Sequence, residues 1–447
     1  MKKKILVFLF LLTSFLFPLP SSLLFAQSES SPAKHIYIIL DQPSAENKFP
    51  IAVPDLLYTK NQNDKDDYAV RITDVLRNDM QLAGYFNVLS KSSYPENPGP
   101  GLQANEIDFK KWTGIGAQAL VKGGLQLDGG NLVMQLRLFD PSTGETLVGK
   151  EYKVEKKNYR AAAHRFMDEI MLALTGEKGI FSTKIAVACG KVGQKEIYVM
   201  DVDGQNMVPI TKNKSINVSP AWSADGTQLV FTSYMKYFPE IYIAQSNGKG
   251  SIKRVTYNNA VNITPAFTPD GKSIALSSSM GGNPDIYLID TQGNKQAQLT
   301  RSFGIDIAPT FSPDGNSIIF ASERAGNLHL FAMDRNGGGV KRLTFTGSHN
   351  DQPDWSPKGD KVAFASQNGS GYDIFTMNVD GSLVQRLTTG AGSNESPSYS
   401  PDGRYIVYSS TRRGKSDIYL MLWEGSNQTP ITSSGECVNP DWSPWLQ

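Results

Sequence analysis

The sequence predicts a mostly β protein, in which a six-bladed β-propeller follows a small α/β domain. Two observations carry this prediction. A short motif recurs through the second half of the chain at a nearly constant spacing, and the first half lacks that motif but contains two helical stripes. With 40% hydrophobic and 19% charged residues, the 447-residue chain has the composition of a folded globular protein.

The repeated motif is Pro-x-aromatic-Ser/Thr-x-Asp-Gly, and its prolines are 43 to 45 residues apart. They are Pro220, Pro265, Pro309, Pro353, Pro397 and Pro440, the last in a truncated copy. Each copy predicts four short strands, with Asp-Gly in the first hairpin turn. The third strand begins with an acidic residue in every copy but one, where Asn327-Leu328-His329 stands instead. Units of four strands at this period are typical of propeller blades.

The two ends of the repeat region complement each other. Residues 184–211 lack a first strand, and residues 438–445 supply only a first strand. We expect these two pieces to form one blade, which closes the ring and leaves no sheet edge open. By repeat alignment Cys189 and Cys437 face each other within that blade. A disulfide there would stabilise the closure by several kcal/mol; the alternative is a pair of buried free thiols in contact.

The first 26 residues have the layout of a secretory signal peptide, with three lysines followed by an apolar run. That run is about 13 residues long, shorter than the roughly 20 that span a bilayer, so an uncleaved anchor is the weaker alternative. We expect residues 27–34, which are polar and rich in serine, to form a flexible segment. We therefore predict an exported protein with an α/β domain at 35–178 and the propeller at 179–447.

Within the α/β domain, apolar spacing predicts two helices, and each is followed by a glycine that can end it. The helices cover Tyr68 to Ala83 and a stretch that starts at Tyr159 and stops at Gly176. Four strands are predicted at 35–40, 86–89, 119–121 and 132–139. No glycine-rich phosphate loop occurs among them.

A polar residue stands three positions before the proline in five copies of the repeat. These residues are Asn217, Asn262, Asp306, Asn350 and Asn394. Because first strands line the central channel of a propeller, we expect the five to ring one mouth of it. They could equally turn or cap the start of the first strand, as Asn and Asp often do. The aromatic residue of the motif is interpreted as core between blades.

Composition excludes several classes of protein. Lys plus Arg is 44 and Asp plus Glu is 43, which argues against a nucleic-acid binder. Two cysteines and four scattered histidines do not form the spaced pairs of a zinc site. We therefore expect neither a cofactor nor a metal ion.

Three runs of sequence resemble the TolB family: Trp112–Gly123, Ala163–Asp168 (AHRFMD) and Leu174–Phe181 (LTGEKGIF). The resemblance implies a six-bladed propeller and a non-enzymatic adaptor in the periplasm. Such adaptors bind the peptidoglycan-associated lipoprotein Pal at the propeller mouth and TolA through the N-terminal region. They support outer-membrane integrity and invagination at cell division, and colicins exploit them in some bacteria. They touch membranes only through their partners.

By analogy, the ring of five polar residues would face Pal, and His349 beside Asn350 would join it. One departure concerns the N-terminus. In the family the first strand begins almost at the mature N-terminus, which acts as a mobile switch between partners. Here residues 27–34 intervene, which leaves open whether that switch operates.

Two other functions, an enzyme and a sensor, fit the sequence less well than an adaptor. An enzyme is disfavoured because the chain contains no GxSxG motif, ends directly after ring closure, and leaves no acidic pair once the Asp-Gly turns are explained. A small-molecule or metal sensor would use the channel as its pocket. Asp306 among asparagines could hold Ca²⁺ there, although one carboxylate is thin support.

Overall fold

The computed structural model describes residues 48–60, 65–95, 101–390 and 392–446. The predicted signal peptide at 1–26, the segment 27–34 and the strand at 35–40 lie outside these residues. None of the helices in the described part of the chain is long and apolar enough to cross a membrane.

The N-terminal domain is a mixed sheet packed against helices. Its strands are β1 (Phe49–Ala52), β2 (Leu57–Tyr58), β3 (Phe86–Val88), β4 (Ala119–Asp128), β5 (Asn131–Phe139) and β6 (Thr146–Glu155). Its helices are α1 (Tyr68–Ala83), α2 (Phe109–Gly114) and α3 (Tyr159–Thr175), with short 3₁₀ turns at Lys91–Ser93, Ala104–Glu106 and Lys156–Asn158. The sheet order is β3-β1-β4-β5-β6, with β2 also paired to β4.

Both predicted helices are confirmed, with α1 at the expected bounds. Each ends at a glycine in the left-handed conformation, Gly84 with φ 80° and Gly176 with φ 75°. The two helices pack together through Tyr68 and Tyr159, whose ring centroids are 5.6 Å apart. Strands β1, β2 and β6 were not predicted. In β6 most side chains are at least partly exposed, so its sequence gives only a weak signal of a buried face.

The C-terminal part forms six four-stranded antiparallel sheets, which confirms the predicted propeller. Blade 1 contains β10 (Asn217–Trp222), β11 (Gln228–Ser233), β12 (Glu240–Gln245) and β13 (Lys253–Arg254). Blade 2 contains β14 (Asn262–Phe267), β15 (Ser273–Ser278), β16 (Asp285–Asp290) and β17 (Lys295–Gln298). Blade 3 contains β18 (Asp306–Phe311), β19 (Ser317–Ala325), β20 (Asn327–Asp334) and β21 (Lys341–Arg342).

The remaining blades follow the same plan. Blade 4 contains β22 (Asn350–Trp355), β23 (Lys361–Asn368), β24 (Gly371–Asn378) and β25 (Gln385–Arg386). Blade 5 contains β26 (Asn394–Tyr399), β27 (Tyr405–Ser410), β28 (Asp417–Leu422) and β29 (Thr429–Pro430). Blade 6 combines β30 (Cys437–Trp442) with β7 (Lys184–Cys189), β8 (Glu196–Asp201) and β9 (Val208–Pro209).

Blade 6 closes the ring by pairing β30, the last strand among the described residues, with the much earlier β7. β30 runs antiparallel to β7, and Cys437 lies opposite Cys189 in the register. The two cysteines form a disulfide across a sequence separation of 248 residues. In blade 1 the corresponding positions are Asn217 and Ser233, which are paired in the same register. The disulfide therefore stands where blades 1 and 2 have a hydrogen bond between the two side chains.

The hydrophobic core lies between neighbouring blades. The motif aromatic Trp222, for example, packs with Phe231 of its own blade and Ala186 of blade 6. Phe267 and Tyr399 lie in the corresponding clusters of their blades. Each first strand also contains a bulge, because the residue before the motif proline is left-handed, with φ between 48° and 54°. These residues are Ser219, Thr264, Ala308, Gln352, Ser396 and Asn439.

Candidate functional site

The two ends of the propeller blades differ in what they present. The Asp-Gly turns lie at one end. At the other end lie the loops between the second and third strands and the loops that connect successive blades. We call this second end the loop face. The predicted ring belongs to it, because each ring residue begins a first strand.

The five ring residues are buried, which corrects the expectation that they present their side chains to a partner. None of them is more than 1% exposed. Asn217 accepts a hydrogen bond from Ser233 Oγ at 2.6 Å, and its amide donates to Lys195 O at 2.7 Å. The amide of Asn262 donates to Ala260 O at 3.0 Å. These side chains satisfy backbone and neighbouring polar groups where the first strand starts, as the structural alternative predicted.

Asp306 is also unsuited to hold the Ca²⁺ considered above. The guanidinium of Arg324 contacts both of its carboxylate oxygens, at 3.2 and 3.0 Å. A cation placed there would have to displace this arginine. The channel mouth is lined instead by the bulge residues, the motif prolines and the residues after them, around a cavity of about 200 Å³.

His349 differs from the five ring residues because it remains accessible, with its side chain 38% exposed. Its ring lies edge-on to Tyr372, with the ring centroids 5.5 Å apart. The nearby carboxylate of Asp351 raises the pKa of His349, and Glu323 and Glu395 act in the same direction. His349, whose protonated form these carboxylates favour, stays a proposed contact for a partner.

The loop face carries a set of exposed aromatic side chains on blades 1 to 3, which we call the aromatic rim. Its members are Tyr234, Tyr237, Phe238, Tyr257, Phe303 and Phe345. Tyr237 is 97% and Phe303 104% exposed, so neither contributes to the core. Exposed aromatic groups of this kind mark protein-interaction sites. Sequence reasoning missed the rim because it lies in loops that do not follow the repeat.

Two half-buried carboxylates line the channel where the sequence predicted no acidic pair. Asp354 and Asp441 stand at the position that is alanine in Ala221 and Ala266. Burial raises the pKa of Asp354 to about 8 and that of Asp441 to about 7. The carboxylate of Asp354 accepts a hydrogen bond from Tyr399 N at 2.7 Å.

Asp441 makes the corresponding contact, accepting a hydrogen bond from Trp222 N at 2.8 Å. Each acid therefore joins its blade to the first strand of the next one. These two hydrogen bonds give both acids a structural role, because each bond holds two neighbouring blades together.

A buried charged cluster joins the α/β domain to blade 6. His164 Nδ1 of α3 lies 2.7 Å from Asp79 Oδ2 of α1, and His164 Nε2 lies 3.4 Å from Asp201 Oδ2 of β8. Arg160 forms ion pairs with Asp201 and Asp203. We call these five residues, together with Lys184, which also contacts Asp201, the junction cluster.

Oxygen and nitrogen atoms of Asp79, His164 and Asp203 lie within 4.8 Å of one another, a spacing that could suit a metal ion. The guanidinium of Arg160 already binds the carboxylate of Asp203, however, and its positive charge would repel a metal ion. Burial alone would lower the pKa of His164, but the carboxylates of Asp79 and Asp201 outweigh it and raise that pKa to about 10. His164 and Lys184 in turn hold the pKa of Asp201 well below its usual range, against the effect of burial. The cluster therefore holds the α/β domain against blade 6 through ion pairs.

The junction cluster predicts a loss of stability at alkaline pH. The pKa of His164 is higher in the folded protein than its usual 6.5. The stability that protonated His164 contributes is therefore complete below pH 6.5 and declines as the pH approaches 10. We expect the melting temperature to fall between pH 7 and pH 10, and to fall less in a His164→Gln variant. Calorimetric melts of both proteins across this range measure the difference. Parallel pH profiles would contradict the role given to His164.

The closed ring, the docked α/β domain and the aromatic rim define a β-propeller protein of the interaction class rather than an enzyme. Residues 172–446 match the family model for the TolB beta propeller domain, and residues 40–147 match that for the TolB amino-terminal domain. The chain belongs to the TolB family.

Relatives and solved structures agree with this assignment. The Tol-Pal system protein TolB of Desulfosudis oleivorans is 38% identical over 222 residues, 49% of this chain and 50% of that protein. The protein of the same name from Geobacter sulfurreducens is 40% identical over 172 residues, 38% of this chain and 39% of that protein. The aligned regions thus span half or less of these relatives. The crystal structure of TolB from Acinetobacter baumannii is similar with a TM-score of 0.75 and 28% identity, covering 89% of this chain and 97% of that one.

Proposed function

We propose that the protein is a periplasmic adaptor of the Tol-Pal system that binds the lipoprotein Pal at the loop face of its propeller. The observation that carries this proposal is the aromatic rim, a set of exposed apolar side chains on the loop face. The α/β domain contacts blades 5 and 6, through Tyr405 and Asn427 as well as the junction cluster. The rim on blades 1 to 3 is thus left open to a partner.

Family membership supports the rest of the proposal. The curated relatives are named as Tol-Pal system proteins. A second contact, to TolA, would use the N-terminal region, so that the protein links the outer-membrane lipoprotein to the inner membrane. In this role it would support outer-membrane integrity and invagination at division. A ring-closing disulfide and a predicted signal peptide both suit an oxidising compartment such as the periplasm.

The test is calorimetric titration of the exported chain with the soluble domain of Pal from the same organism. A variant with Tyr237→Ser and Phe303→Ser removes two rim side chains without touching the core. We expect its affinity to fall by at least about tenfold, as for aromatic anchors in other interfaces. Leu383→Ser is the matched control, because Leu383 is 75% exposed but lies in the turn between β24 and β25, away from the loop face.

The outcomes separate function from site. Equal affinities of the wild type and the rim variant would discard the aromatic rim as the Pal surface. Failure of the folded wild-type protein to bind Pal would overturn the adaptor function itself.

A further inference from the structure

Five of the six blades have an acidic residue at the same position near the start of the third strand, and blade 3 does not. The acidic residues are Glu196, Glu240, Asp285, Asp373 and Asp417. In blade 4, Thr388 at the end of the outer strand donates to Asp373 Oδ1 at 2.8 Å and accepts from Ile374 N at 2.9 Å. Blade 3 has His329 in the place of the acid.

In three of these blades the acid also neutralises or binds a side chain on the outer strand. Arg254 forms an ion pair with Glu240 in blade 1, and Arg386 forms one with Asp373 in blade 4. In blade 2 a neutral Gln298 donates to the carboxylate of Asp285 at 3.0 Å. The corresponding outer-strand residue of blade 3 is Arg342, which faces a histidine instead of a carboxylate.

His329 reproduces the acceptor role of the missing acid but not its charge. The amide of Asn350 lies 3.0 Å from His329 Nδ1, and Thr344 Oγ1 lies 3.3 Å from it. An amide NH₂ group can only donate, so Nδ1 carries no proton and the ring is neutral. His329 is 4% exposed, and its burial together with the charge of Arg342 lowers its pKa. Blade 3 thus keeps its hydrogen bonds without a negative charge.

Arg342 is consequently held in place, yet it forms no ion pair with any residue that the structure describes. Its Nε donates to Thr344 O at 2.7 Å, as Arg386 Nε does to Thr388 O at 2.9 Å in blade 4. Its guanidinium lies over the ring of Phe345, 5.1 Å from the centroid, and Phe345 belongs to the aromatic rim. Among the residues that the structure describes, neither Nη1 nor Nη2 of Arg342 has a hydrogen-bond acceptor. An arginine held in this way is prepared to receive a carboxylate with little loss of side-chain entropy.

We propose that Arg342 binds the carboxylate of an Asp or Glu side chain of Pal, with Phe345 forming the apolar wall of the contact. This inference rests on the proposed function and names the chemistry of its interface. Binding of an outside carboxylate depends on His329. An acidic residue at that position would instead form an ion pair with the guanidinium of Arg342 inside the blade. Arginine and carboxylate form two parallel, charge-assisted hydrogen bonds, which give both strength and orientation.

The decisive variant is His329→Asp, which gives blade 3 the residue found in blades 2, 4 and 5. The new carboxylate can accept from Asn350, as Asp373 accepts from Asn394 at 3.2 Å in blade 4. We expect the variant to fold, to neutralise Arg342 internally, and to bind the soluble Pal domain about tenfold more weakly. The dependence of the affinity on salt should also become weaker.

Arg342→Gln provides a second, independent variant, since Gln298 is the natural residue at this position in blade 2. The matched control is Arg386→Gln, which removes the same charge from the outer strand of blade 4. Weaker binding in both blade 3 variants, with Arg386→Gln close to wild type, is the expected result. Wild-type affinity in Arg342→Gln would overturn the inference while leaving the adaptor function intact. If the wild type does not bind Pal, the proposed function fails, and this inference with it.

Discussion

A variant with Cys189→Ser and Cys437→Asn is expected to lose about 3 to 5 kcal/mol of its free energy of unfolding. The disulfide joins residues 248 positions apart, so its removal restores much conformational freedom to the unfolded chain. The chosen residues rebuild the pair of blade 1, where Ser233 Oγ lies 2.6 Å from Asn217 Oδ1. The loss then reports on the covalent link rather than on a cavity.

Guanidinium denaturation of the variant and the oxidised wild type measures this difference. Wild-type protein unfolded in the presence of a reductant serves as the control and should approach the stability of the variant. A variant as stable as the oxidised wild type would show that the β30–β7 hydrogen bonds suffice to close the ring.

Asp201→Ala is expected to cost about 3 to 5 kcal/mol, because it removes a buried carboxylate that three positively charged side chains share. Asp201 is 2% exposed and contacts Arg160, Lys184 and His164. Since the first and last of these cations belong to α3, we expect the α/β domain to separate from blade 6 before the propeller unfolds.

Denaturation followed by limited proteolysis after α3 tests this prediction, since a released domain should expose the connection at residues 176–183. Asp334→Ala is the matched control. Asp334 holds the same position in blade 3 as Asp201 in blade 6, but it is exposed and binds only its own turn. If Asp201→Ala unfolded in a single transition, at the same denaturant concentration as the wild type, the junction cluster would not be what holds the two domains together.

Much of the architecture could be predicted because it depends on periodic patterns. The recurring proline and Asp-Gly motif fixed the number of blades, and the incomplete end copies indicated how the ring closes. Helix α1 was predicted to the residue, since its apolar stripe ends at a glycine. Strands β1 and β6 are not predicted from the sequence, because a short strand and a half-exposed edge strand lack a periodic pattern of apolar residues.

The candidate site was harder to predict, because the repeat specifies backbone position but not the direction of each side chain. Asn217 and its equivalents begin the first strands as expected, yet their amides turn inward to backbone carbonyls. The exposed rim residues, such as Tyr237 and Phe303, occur in loops that differ from blade to blade. Asp354 and Asp441 replace alanines of other copies, so their pairing appears only when the blades surround one channel.

The pairing of β30 with β7 also sets an order of events in biosynthesis. β7 is made early, but its neighbour on the channel side, β30, is made only after the strands of the other five blades. Until then one edge of blade 6 has no partner, and the five complete blades form an arc with two unfinished ends. If the chain is exported unfolded, the ring can therefore close only after β30 has also crossed the membrane. Premature termination anywhere upstream would leave an open arc, with an exposed strand edge that quality-control proteases could recognise.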